Sequence, residues 1–192
     1  MHRPATLRPP LTEDEVADAE RALHVRFPAE YRAYLRGPDP DGFGVVRTED
    51  GWRWPGDDHL RRDLLPEPFP HPDSYAAADI ALCEAEPREE DFDDPAEMTA
   101  AWNAWDAECE VFEDGRTAGA MRLQEHGCGF STLLAVSGPL AGTMWWDGRA
   151  SCDRIIPLSL DHAGGGRPAT FGEWLGRDSW DLLPPGWGGP TS

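Results

Sequence analysis

A chain of 192 residues with 36 acidic and 17 basic side chains carries a net charge of −19, and every one of those basic side chains is an arginine. That length suits one core, and the sequence reads as a single domain over residues 11–183, with flexible tails at 1–10 and 184–192 and an acidic insertion at about 84–114. The charge disfavours nucleic acid and anionic membrane as partners, favours solubility or a basic protein partner, and the absence of lysine removes any Schiff-base chemistry.

Residues 1–10, rich in proline and without an apolar signal-peptide core, read as an extended tail. Thr12 then opens a helix: Glu15 completes a capping box, Leu11 and Val16 form a hydrophobic staple, and acids fill the first turn, where the helix dipole favours them. Val16, Ala19, Ala22 and Leu23 give one apolar face that ends near His24. A second helix is predicted with Pro28 at its first position, Tyr31, Tyr34 and Leu35 on its buried side and Gly37-Pro38 as its stop. The chain is thus expected to open with a helical hairpin. Short strands follow at Phe43–Arg47 and around Trp52 and Trp54, then one helical turn at Leu60–Leu65. Beyond it a surface loop is expected, because Pro66, Pro68, Pro70 and Pro72 deny regular structure.

Residues Glu84 to Asp114 hold thirteen acids and one arginine, twelve of the nineteen net negative charges. Glu84 to Asp94 reads as a solvated acidic loop. Asp94 as N-cap and Pro95 at the first position then open a helix with Met98, Trp102, Trp105, Cys109 and Phe112 at spacings of four, three, four and three, an apolar stripe expected to dock on the body of the protein, with an exposed partner-binding helix as the alternative.

From Thr117 to Asp147 three strands are predicted as a meander. Ala120 to Glu125 alternates, Gly127-Cys128-Gly129 breaks the run, Phe130 to Val136 reads as a buried strand, and Thr143 to Asp147 as an aromatic one. Successive strand residues face opposite ways, so one of Trp145 and Trp146 is expected in the core and the other on the outer face, open to a partner or hidden by a covering helix. Arg154–Leu158 is a brief strand and Gly164-Gly165-Gly166 a loose turn. Thr170 and Glu173 form a second capping box, opening a C-terminal helix with Phe171, Trp174, Leu175 and Leu182 inward.

Two stretches now stand out together: Leu11-Thr12-Glu13-Asp14-Glu15-Val16 with Phe27-Pro28-Ala29-Glu30-Tyr31-Arg32-Ala33-Tyr34-Leu35, and Phe171-Gly172-Glu173-Trp174-Leu175. With His126-Gly127-Cys128-Gly129-Phe130, Leu133 to Pro139 and Gly142 to Asp147 between them, the chain resembles the SUKH superfamily, the fold of the yeast cell-wall assembly regulator and of many bacterial toxin-immunity proteins. The likeness covers residues 11–36 and 117–183. It departs at Gly37 to Gly44, a looser form of the family's glycine-rich turn, and residues 48–116 have no counterpart. The resemblance implies an α+β fold with a mixed or antiparallel sheet, no catalytic activity, and use as a protein-binding module.

Chemistry elsewhere is sparse. His126-Gly127-Cys128 reads as a turn rather than a metal or thiolate site, and Asp57-Asp58-His59 as a solvated loop. No phosphate-binding glycine motif occurs, and four scattered cysteines without a CxxC pair are expected to be reduced thiols in a cytoplasmic protein. No catalytic, cofactor or metal-binding residue is assigned. The candidate partner-binding residues are Glu86, Glu89, Glu90, Asp91, Asp93 and Asp94, with Trp145 and Trp146, and the expected partner is a protein, such as a basic nuclease-like toxin domain, with no nucleic acid or membrane. A regulatory scaffold binding a cellular partner and a metal-dependent hydrolase using His59 or His126 are the alternatives.

Overall fold

The computed structural model describes residues 8–59, 61–152 and 154–187. In α1 (Glu13–Leu23) the capping box closes in both directions, the Glu15 carboxylate accepting from the Thr12 amide at 2.7 Å. Hydrogen bonds from the Thr12 amide and then its hydroxyl hold the Glu15 pKa below the usual carboxylate value. His24 ends the helix at φ 56°, and α2 (Ala29–Leu35) follows with Pro28 as its cap rather than its first residue. Tyr31 and Leu35 are buried, as the spacing predicts.

Asp39 organises the turn after α2. Its buried carboxylate accepts from the amides of Gly42 at 2.7 Å, Phe43 at 3.1 Å and Gly44 at 3.0 Å, and from the Tyr34 hydroxyl. Arg8 faces the same carboxylate at 3.6 Å and its backbone bridges Asp39, so the stretch read as a free tail is tied to the body from residue 8; residues 1–7 lie outside the described residues. Because Asp39 takes the amides of residues 42–44, the first strand begins later than expected: β1 (Val46–Thr48) pairs antiparallel with β2 (Gly51–Arg53). The helical turn near residue 62 is a 3₁₀ turn, Arg62–Leu64.

The proline-rich loop ends sooner than its composition suggests. Pro72 takes the first position of α3 (Pro72–Glu84), and His71 Nδ1 accepts from the Asp73 amide at 3.2 Å. A residue that breaks a helix interior fits its first turn, where no amide hydrogen is needed. After the acidic loop, α4 (Pro95–Arg116) starts where predicted, with Asp94 Oδ1 accepting from the Ala96 amide at 2.9 Å.

The meander is β3 (Ala120–Gly127), β4 (Phe130–Ala135) and β5 (Met144–Asp147), extended by β6 (Ile155–Pro157) into a four-stranded antiparallel sheet in the order β3-β4-β5-β6. The fold is α+β, and every strand pairing among the described residues is antiparallel. The β3–β4 hairpin turns on Cys128 at φ 51° and Gly129 at φ 80°, the two positive values a two-residue turn of this hand requires. Short α5 (Arg149–Cys152) links β5 to β6.

The sheet divides the core in two. Met121, Leu123, Leu134, Met144 and Trp146 face the larger cluster, with α1, α2 and the C-terminal segment over them. Ala120, Leu133, Ala135, Trp145 and Ile155 face a smaller one closed by Phe69. Aromatic edges knit the larger side: Tyr31 meets Phe171 at 5.2 Å and Phe43 meets Trp174 at 4.9 Å between ring centroids. α6 (Phe171–Trp174) closes its predicted capping box but runs for one turn only, because Gly176 takes φ 80°, and Leu182 reaches the core from a separate 3₁₀ turn, Ser179–Leu182. The stretch from Pro184 was expected to fray, yet Trp187 lies partly buried against the core; residues 188–192 lie outside the described residues.

Candidate functional site

The acids meet on a projection from this body. α3 and α4 run as a helical hairpin with a half-buried seam: Trp105 Nε1 donates to the Leu82 carbonyl at 2.9 Å, and Tyr75 meets Phe112 edge-on at 6.0 Å. No side chain of α3 is buried, and in α4 only Arg116 is. The stripe of α4 therefore docks on α3 rather than on the main core as expected, and Trp102, Ile80 and Val111 stay exposed. Between Pro72 and Arg116 fifteen carboxylates face two arginines.

Those charges are balanced at one end only. At the root, Arg149 holds Asp147 through two bonds of 2.9 Å and reaches both the carbonyl and the carboxylate of Glu113 at 2.8 Å, while Arg116 takes the other Glu113 oxygen at 2.7 Å. Arg61 adds a 3.0 Å contact to Asp114. Among the described residues no carboxylate from Glu84 to Glu110 makes an ion pair. At the tip Glu86, Glu89, Glu90, Asp91, Asp93 and Asp94 are all exposed, in and beside a 3₁₀ turn at Glu89–Asp91. A shallow cleft of about 600 Å³ opens there, lined by Glu84, Arg88, Asp91, Phe92, Trp105 and Glu108.

Trp145 and Trp146 do not join them. Both are buried, at 0 % and 1 % exposure, one in each cluster, so neither offers surface to a partner. Of the two alternatives for the outer tryptophan, open or hidden, the structure shows the hidden one: Trp145 is covered by Phe69 and by His71, whose ring lies 5.6 Å away.

The other candidates have structural partners. Asp57 pairs with Arg53 at 3.3 Å and Arg62 at 3.5 Å, and Asp58 with Arg53 at 3.0 Å; the side chain of His59 lies outside the described residues. His126 bonds Thr132 rather than Cys128, and Cys83, Cys109 and Cys128 are free thiols. Burial, then Asp106, pushes the Cys109 thiol up, away from thiolate chemistry. Among the described residues no group of three His, Cys, Asp or Glu side chains is placed to hold a metal, and no helix is long and apolar enough to cross a membrane.

Sequence reasoning placed the acids and missed α3, the element that lifts them off the body. The signal was there in His71-Pro72-Asp73-Ser74, a cap followed by proline at the first helical position. Comparisons with family models, curated proteins and solved structures return no match for this chain.

Proposed function

We propose that the chain is a non-enzymatic protein-binding module of the SUKH kind, an immunity protein that neutralises a basic toxin domain by seating the acidic tip of the α3–α4 hairpin in its cationic cleft. One observation carries this reading: among the described residues the tip acids make no ion pair, with Arg88 the one cation beside them, while the root acids are held by three arginines. Charge left unpaired on a projection costs self-repulsion in the free protein and is relieved by a cationic partner. Such an arrangement speeds encounter, and shorter-range contacts then set specificity. Exposed Trp102 and half-buried Phe92, which lines the cleft, supply apolar contact of the kind that anchors an interface.

The test is capture from the native host with the full chain as bait, at low and high salt, beside a variant carrying Glu89→Gln, Glu90→Gln, Asp91→Asn and Asp93→Asn. The expected result is one dominant basic protein with a toxin domain, bound at least about tenfold more weakly by the variant and at high salt. A partner indifferent to both would replace immunity by the regulatory-scaffold reading.

A further inference from the structure

A chain of buried hydrogen bonds ties the C-terminal segment to β3, and it has a direction. The Trp174 indole N–H donates to Ser179 Oγ at 2.8 Å, the Ser179 and Thr132 hydroxyls lie 2.8 Å apart, and Thr132 Oγ1 lies 2.8 Å from His126 Nε2. Trp174, Ser179 and Thr132 are almost wholly enclosed, so each polar hydrogen must find its acceptor within the chain. Indole has a hydrogen to give and no lone pair to receive one, so Ser179 accepts from Trp174. The Ser179 hydrogen then goes to Thr132, and the Thr132 hydrogen to His126 Nε2. Neutral His126 is thereby fixed with its own proton on Nδ1.

Protonation reverses this order. An imidazolium donates from both nitrogens, so Thr132 must accept and turn its hydrogen to Ser179. Ser179 then receives from both sides and its own hydroxyl hydrogen is stranded in the core. The loss falls on the join between the Ser179–Leu182 turn and the sheet. We propose that His126 is a pH-sensitive clasp: neutral, it holds the Ser179–Leu182 turn against the sheet, and protonated, it lets that turn go.

The surroundings support the neutral state. The ring packs on Trp146 at 4.7 Å and Trp180 at 6.0 Å, β4 offers it the Thr132 hydroxyl, and its charged neighbours are Asp41, Arg177 and Asp178 around a cleft of about 470 Å³. On its own strand Glu125 is adjacent and exposed. Burial holds the His126 pKa below 6.5, with Asp178 opposing weakly. Since the folded value lies below the unfolded one, the clasp's stabilisation is complete above the ordinary histidine pKa and is lost as pH falls through the lowered value. The same turn has a second tie that does not reverse. His162 Nε2 donates to the Leu182 carbonyl at 2.8 Å, and that nitrogen carries a proton in the charged ring as well.

The experiment is nitrogen-15 NMR of the full chain with amide hydrogen exchange across pH 7 to 5. Expected are the Nδ1–H tautomer of His126 at neutral pH, and exchange at the Asp181 and Leu183 amides rising on the order of tenfold relative to β4 as His126 titrates. Thr132→Val, which removes the hydroxyl that relays the reversal, should abolish the exchange step. An Nε2–H tautomer in the native protein at neutral pH, which needs no variant to observe, or an exchange ratio that ignores the titration, would overturn the clasp.

Discussion

Gly119 joins the sheet to the loop beneath it and has no room for a side chain. It sits at φ 65°, and a methyl there would meet the Glu67 carbonyl oxygen at 2.2 Å and the Phe69 amide nitrogen at 2.6 Å. Its own amide and carbonyl are engaged too, with Leu64 at 2.9 Å and Val136 at 2.7 Å, so the backbone cannot step aside without breaking both. Gly127 is also left-handed, at φ 79°, yet a methyl on it meets nothing within 4 Å. Gly119→Ala should therefore lower stability by about 3 kcal/mol or more, and Gly127→Ala by about 1 kcal/mol, the strain of positive φ alone. Urea midpoints at equal slope measure both, and equal losses would refute the steric account. At this scale the sequence was only partly readable: capping boxes at Thr12 and Thr170 announce themselves within four residues, whereas the backbone of Glu67 that leaves no room for a side chain at Gly119 comes near only after folding.

Among the elements, the hairpin depends on its root. Glu113 takes Arg116 from its own helix and Arg149 from the body, so one carboxylate couples α4 to the end of β5. Glu113→Ala should leave the sheet cooperative while the α3–α4 hairpin opens locally, with proteolysis there faster on the order of tenfold. Hydrogen exchange confined to residues 72–116 would verify it, and a uniform rise across the sheet would show that root and core unfold together. The loss is local because Glu113 is partly solvated and the α3–α4 seam contributes no residue to either buried cluster. Amphipathic spacing made α4 legible from Met98 to Phe112. It could not say what the stripe packs on, because α3 scatters its apolar and polar residues around the helix and so has no single face to read from the sequence.

For the molecule as a whole, charge is distributed unevenly. The helical hairpins at the N-terminus and between residues 72 and 116 are both acidic, but α1 and α2 interleave Arg32 with Glu13 and Glu20, whereas the exposed tip acids make no ion pair among the described residues. Repulsion on that projection should make added salt stabilising: raising NaCl from about 10 mM to about 500 mM should lift Tm by on the order of 3 °C. A flat or falling Tm by scanning calorimetry would mean that screening of the internal ion pairs outweighs relief at the tip. The α+β class and the order of the meander were readable because alternation and turn glycines are local. The second cluster under Phe69 was not, since the residues that close it come from a proline-rich loop with no periodicity.

The two adjacent tryptophans of β5 raise a question of parity. A strand with Trp145 on one side and Trp146 on the other presents the same hydropathy either way up, so a slip of one position would exchange like for like. The tie is broken just past them, at Asp147, which Arg149 grips with two bonds while Ile155 pairs across from it. Inverted, that carboxylate would lose its guanidinium and enter the core uncompensated. The alignment of this wholly buried strand is thus decided by its one charged residue, and the asymmetry that separates its two faces is written in a polar pair rather than in the aromatic ones.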